Sequence, residues 1–116
     1  MSALTPAQEV LAKAMSEKQL LALVVDAAVK FGWLVFHPWT SIHSASGWPD
    51  LVLVKSTERR FWALELKREG KVPTPAQMVW LEALASIPGV SVAVVRPRDW
   101  LSGEVEEQLM GGNGSE

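Results

Sequence analysis

A chain of 116 residues and 12.7 kDa has room for one hydrophobic core. Its 48% hydrophobic and 21% charged residues argue against a disordered chain, zero Cys excludes disulfide frameworks, thiolate zinc sites and cysteine nucleophiles, and two His nearly exclude a multi-His metal centre. The net charge of −2 hides its distribution: residues 55–71 carry six basic groups (Lys55, Arg59, Arg60, Lys67, Arg68, Lys71) against three acidic ones, between a near-neutral segment and an acidic one. Local fields rather than totals decide phosphate binding.

Thr5-Pro6-Ala7-Gln8 and Ser16-Glu17-Lys18-Gln19 both match the capping box, a hydroxyl followed three residues later by Gln. The first predicts a short helix over 6–15. The second opens a longer one, in which Leu20, Leu21, Val24, Val25, Ala28 and Phe31 recur at three- and four-residue steps up to Gly32. The apolar run Leu20 to Val29 is broken by Asp26 and falls short of the ~20 residues of a membrane helix. The N-terminus lacks a basic segment followed by an apolar one, so no signal peptide and a cytoplasmic setting are expected. Trp33 to Phe36 reads as a strand, His37 to Pro49 as a loop, and Leu51 to Val54 as a strand covered on both faces. A polar turn from Lys55 to Arg59 leads into a strand from Arg60 to Lys67. After the basic loop Arg68 to Pro73, Thr74-Pro75-Ala76-Gln77 is a third capping box with Pro at the first helical position, opening a helix that ends at Pro88-Gly89. Val90 to Val95 is a strand, Asp99 to Met110 a final helix, and residues 111–116 a flexible tail. The order α-β-β-β-α-β-α describes an α/β fold with a mixed central sheet flanked by helices, expected to be one domain over residues 1–110.

The chemistry concentrates at Pro49-Asp50 and Glu65-Leu66-Lys67. If residues 50–54 pair with 61–65 across a turn between Thr57 and Glu58, Asp50 lies opposite Glu65. Alternation then puts Phe61, Ala63, Glu65 and Lys67 on one face. Two carboxylates at close range repel unless a proton or cation intervenes. All-oxygen ligation suits Mg²⁺ or Mn²⁺, and a nearby Lys can orient a water and stabilise charge on a phosphate.

At these residues the chain resembles the PD-(D/E)XK nuclease superfamily, and within it the virus-type replication-repair nuclease (VRR-NUC) family. Gly47-Trp48-Pro49-Asp50-Leu51 is similar to that family's G-x-P-D-L segment, Glu65-Leu66-Lys67 to its E-x-K, Gln77 to its downstream Gln and Glu17 to its first-helix acid. The resemblance spans residues 16–96. It implies a restriction-endonuclease-like core and a metal-dependent, structure-selective endodeoxyribonuclease, similar in its stand-alone relatives to Holliday-junction resolvases. Asp50, Glu65 and the Leu66 carbonyl would hold Mg²⁺ (or Mn²⁺), with Glu17 completing the acidic cluster. Lys67 would position the attacking water, and Gln77 would orient that water or a phosphate. Branched or junction DNA is the implied substrate, with a helicase or replication protein as partner, no membrane, and the host cytoplasm or nucleoid as the setting for a viral chain.

Each residue also has a plainer reading. Asp50 can start a strand, Lys67 can be a solvated strand end, Glu17 suits the positive end of a helix, and Gln77 completes a capping box. Glu65, flanked by Leu64 and Leu66, is the exception, because a carboxylate on a core strand needs a partner. Of the six Trp, Trp33, Trp62 and Trp80 are expected in the core. Trp39 should anchor the loop, and Trp48 either anchors it or stacks on an unpaired base. Arg68, Lys71 and His43 are expected DNA contacts, with His37 a weaker candidate, and Lys55, Arg59 and Arg60 should add to the same basic surface. The alternative function is a non-catalytic nucleic-acid-binding or assembly module. A homodimer is expected, because the apolar content exceeds what one small core covers, with its surface on the long helix or the final strand and helix.

Overall fold

Capping chemistry sets three helix starts. Thr5, Ser16 and Thr74 each accept the backbone N–H three residues on, while Gln8, Gln19 and Gln77 return a side-chain oxygen to the cap's own N–H. Two otherwise orphaned donors are satisfied at each start. The computed structural model describes residues 3–38 and 46–111, so Trp39 and His43 lie outside the described residues. Helix α1 is Pro6–Ala14, α2 is Glu17–Lys30 and α3 is Pro75–Ala85.

Strands β1 (Leu34–Phe36), β2 (Leu51–Lys55), β3 (Arg60–Leu66) and β4 (Val90–Val95) form one sheet in the order β1-β2-β3-β4. The first two pairings are antiparallel and β3–β4 is parallel. A parallel neighbour requires a crossover, which α3 supplies. The result is the mixed sheet flanked by helices that the element order predicts. Between β2 and β3 the turn is a short 3₁₀ segment, Ser56–Glu58, closed by Arg59 at φ +54°.

The final helix differs from expectation. It is two pieces, α4 (Pro97–Leu101) and α5 (Glu104–Leu109), divided at Gly103, whose φ of +88° no right-handed helix accommodates. The break lets α5 fold back under α2, where Val105 and Leu109 are buried.

The two sheet faces are unequal. One carries Leu51, Leu53, Trp62, Leu64 and Leu66 against Leu20, Val24 and Ala28 of α2 and the two apolar side chains of α5. This is the core, and burying each such side chain contributes roughly 1.5–3 kcal/mol. The other face carries Val52, Ala63 and Glu65 beneath α3, and at its β1 edge Leu34 and Phe36 stay 72% and 58% exposed. Trp33 and Trp62 are in the core as expected, with ring centroids 6.3 Å apart. Trp80 is not: it is half-buried on α3 and donates through Nε1 to the Ser46 carbonyl at 3.1 Å. Among the described residues no helix is long and apolar enough to cross a membrane.

Candidate active site

The β2–β3 register pairs Leu51 with Leu64 and Val52 with Ala63, so one further step sets Asp50 against Glu65. Asp50 Oδ2 accepts the Leu66 N–H at 2.8 Å. In an extended strand the N–H and C=O of one residue point to the same side, so the Leu66 carbonyl is turned toward Asp50 as well. The Lys67 N–H points the other way, donating to the Val95 carbonyl at 3.0 Å.

Glu65 is 1% exposed, and its Oε1 has no hydrogen-bond partner. Its Oε2 lies 3.7 Å from Lys67 Nζ. Burial above all, then the charge of Asp50 and a hydrogen bond with it, push the Glu65 carboxyl from 4.5 to about 8, with Lys67 pulling back and Glu17 adding to the rise. Without a cation, a proton on Glu65 satisfies this arrangement; a cation beside it would favour the ionised form.

Beside this pair opens a cleft of about 520 Å³. Glu17, Lys18 and Leu21 line it from α2, His37 and Pro38 from the end of β1, Gly47 and Trp48 from the loop before Asp50, and Gln77 from α3. Gly47 explains its own identity: at φ +84°, a Cβ there would stand 2.4 Å from the Ala76 carbonyl carbon and oxygen. Only glycine lets the loop backbone press onto the first turn of α3. Trp48 meets Trp80 edge to face, 4.9 Å between centroids at 82°, so Trp48 is fixed to α3 while its side chain still borders the cleft. The loop-anchoring and cleft-lining readings of Trp48 therefore coexist.

The remaining residues divide. Glu17 sits on the cleft rim, where Oε2 accepts the Arg68 N–H at 3.3 Å. Among the described residues no three Asp, Glu or His side chains stand close enough to hold a metal together, so the carboxylates form a pair with Glu17 at a distance. Gln77 lines the cleft while its Oε1 accepts the Thr74 N–H at 2.8 Å, which leaves its amide nitrogen for a ligand. Arg68 is exposed, with Nη2 3.4 Å from the Lys13 carbonyl. Exposed Lys71 is held through its carbonyl by Arg96 Nε and Nη2 at 3.1 and 2.8 Å.

The continuous basic surface expected over residues 55–71 does not form. Lys55, Arg59 and Arg60 lie at the turn of the hairpin, the opposite end from Asp50 and Glu65. Lys55 Nζ pairs with Glu58 at 3.2 Å, and Arg60 donates to the Gln108 carbonyl at 2.9 Å with its guanidinium 4.8 Å from the Trp33 ring centre. Sequence reasoning counted these charges without seeing α5 arrive beside them. It also missed Lys18, Leu21 and Pro38. The signal for Lys18 was present: a cation in the first turn of a helix opposes the macrodipole.

The model of the VRR-NUC domain matches residues 6–99, from α1 through the start of α4. The chain belongs to the VRR-NUC domain family. Neither the curated proteins nor the solved structures compared with the chain give a match. The family is of the nuclease type, and the mixed four-stranded sheet flanked by helices is compatible with a restriction-endonuclease-like core. In this VRR-NUC chain the matched span takes in Glu17, Asp50, Glu65, Lys67 and Gln77 together.

Proposed function

We propose that this VRR-NUC chain is a Mg²⁺- or Mn²⁺-dependent, structure-selective endodeoxyribonuclease that hydrolyses phosphodiester bonds in branched DNA, with residues 1–110 as its single domain. The observation that carries the reading is the buried, unpartnered Glu65 Oε1 beside a second carboxylate at the edge of a cleft. Such an oxygen is costly unless a ligand completes it. The residues present fit a hard divalent cation: Asp50 and Glu65 would hold it with the Leu66 carbonyl, and Glu17 would face it from the rim. When bound, the ion neutralises the pair and makes a coordinated water acidic enough to attack at neutral pH.

The protein's own groups do the rest. The Lys67 ammonium, tethered to Glu65 and 12% exposed, would orient the attacking water and face the charge that develops on the phosphoryl oxygens. The Gln77 amide nitrogen offers a donor from the far wall. Arg68 and Lys71 contact neighbouring phosphates. A non-catalytic binding module is the weaker reading, because a repelling carboxylate pair beside phosphates weakens binding and serves only an ion-dependent reaction. Full two-fold reading of a four-way junction would come from a homodimer, a proposal that draws support from the exposed Leu34 and Phe36 and from the apolar groove between α1 and α2 lined by Leu11, Met15 and Leu23.

The test is cleavage of junction, flapped, single-stranded and linear duplex DNA with Mg²⁺, Mn²⁺, Ca²⁺ or EDTA, alongside light scattering of the protein alone and on DNA. Branched substrates should be cut with Mg²⁺ or Mn²⁺ and bound but hardly cut with Ca²⁺. Turnover by metal-free protein in EDTA would refute the mechanism. A strict monomer on DNA that cuts flaps as readily as junctions would remove the resolvase-like part.

A further inference from the structure

Lys18 is the one Lys or Arg among the described residues lining the cleft. It occupies the first turn of α2, where the helix field disfavours a cation. Among the described residues no carboxylate pairs with it, so its charge is not neutralised within the fold. A lysine placed against the local field and left without a structural partner is available to an anion that enters the cleft. The cleft also has an apolar wall, Leu21, Pro38 and Trp48. Trp48 is rigid in that wall: Trp80 braces it edge to face, and Trp80 is itself bonded to Ser46. A volume of about 520 Å³ falls among sites for small molecules, which span ~300–1,000 Å³, and suits one nucleotide rather than a duplex. Bases in a duplex are turned inward to their partners, so an apolar wall inside a cleft can meet only a base that has left the stack.

We propose that the cleft is a subsite for one unpaired nucleotide, with Lys18 on its phosphate and the Leu21, Pro38 and Trp48 wall on its base. The inference rests on the nuclease reading and deepens it: the strand to be cut enters as a single strand, so unpaired DNA at a branch is what the protein selects.

The experiment measures binding of the full chain to a labelled thymidine octamer and to a blunt hairpin duplex of matched charge, by fluorescence anisotropy with Ca²⁺. The octamer should bind more tightly than the duplex, and Lys18→Glu should weaken octamer binding about tenfold while Lys18→Arg retains it. Lys30→Glu, the same charge change at the far end of α2, should have little effect. Trp48→Ala should erase the preference for the octamer and Trp48→Phe restore it. Because Trp48 also packs on Trp80, the solvent-exposed Lys18 series decides the matter if Trp48→Ala does not fold. Equal losses from Lys18→Glu and Lys30→Glu, or equal affinity for octamer and duplex, overturn the subsite. Cleavage in Mg²⁺ is followed separately: no cutting of branched DNA by the unmodified chain overturns the nuclease reading, and cutting that persists in Glu65→Gln overturns its site, whatever the octamer binds.

Discussion

The two ends of the β2–β3 hairpin are built from similar charged residues and reach opposite outcomes. At the turn, Lys55 and Arg60 share the Glu58 carboxylate, and Arg60 and Trp33 Nε1 donate to the last carbonyls of α5, Gln108 and Leu109. Lys55, Glu58 and Arg60 all have partners within the fold, and Arg60 lies at a helix C-terminus, where the macrodipole favours a cation. At the open end, two carboxylates converge, one oxygen is left without a donor, and the carboxyl of Glu65 is held far above its ordinary range. The closed end stabilises the molecule. The open end is a demand for something the chain does not contain, and that contrast separates a structural cluster of charges from a functional one better than the count of charges does.

The sharpest way to break the comparison is to neutralise the open end. Glu65→Gln and Asp50→Ala should each lower Mg²⁺-dependent cleavage by at least about a hundredfold, and Glu65→Gln should leave the thermal midpoint unchanged or higher, measured on folded protein by gel assay and calorimetry. Loss of activity together with loss of fold would place these residues with the structural cluster instead.

Next in size is a dependence on pH that belongs to one end alone. Folded Glu65 keeps its proton up to about pH 8, whereas the unfolded chain releases it near 4.5. The folded state therefore binds more protons within that window, and metal-free stability falls as pH rises through it, levelling off above. Mg²⁺ should raise Tm most at the alkaline end, and Glu65→Gln should abolish the Glu65 part of the slope and raise the metal-free Tm at pH 8 by roughly 5–10 °C. Thermal scans across pH, with and without the ion, check both.

At the turn the expectation reverses. Arg60→Ala removes the donor to Gln108 and the stacking on Trp33, costing about 2 kcal/mol in urea unfolding, with cleavage per folded molecule unchanged. Smallest is Thr74→Ala, which removes one half of the α3 cap and should cost about 1 kcal/mol while leaving the Gln77 amide in place. Gln77→Ala, which removes the other half of the cap together with the amide nitrogen, should lose cleavage as well, though less than Lys67→Ala does.

Local chemistry made much of this legible in advance. Three capping boxes name their own helix starts, and a turn centred between Thr57 and Glu58 is enough to set Leu51 against Leu64 and so Asp50 beside Glu65. What was not legible depends on elements distant in sequence. The roles of Arg60 and Lys55 are decided by α5, and Trp80 leaves the core because a loop some thirty residues earlier in the chain needs its indole N–H. The division of α4 from α5 lies in between: Ser102-Gly103 is a local stop signal within the span Asp99 to Met110 that reads as one helix.

Helix α1 buries a single side chain, Ala12. It is otherwise tethered by polar contacts: Glu9 to Arg98 at 2.9 Å, Gln8 to the Leu101 carbonyl at 3.4 Å, and the Lys13 carbonyl to Arg68. Contacts of this kind lie within reach of salt, unlike the packed interior. The amides of α1 should accordingly exchange with deuterated solvent sooner than those of α2, and sooner still as ionic strength rises, in a partial opening that leaves the sheet intact. Arg68 is released in the same event, so the ionic medium that weakens a grip on phosphates also frees one of the side chains that grips them.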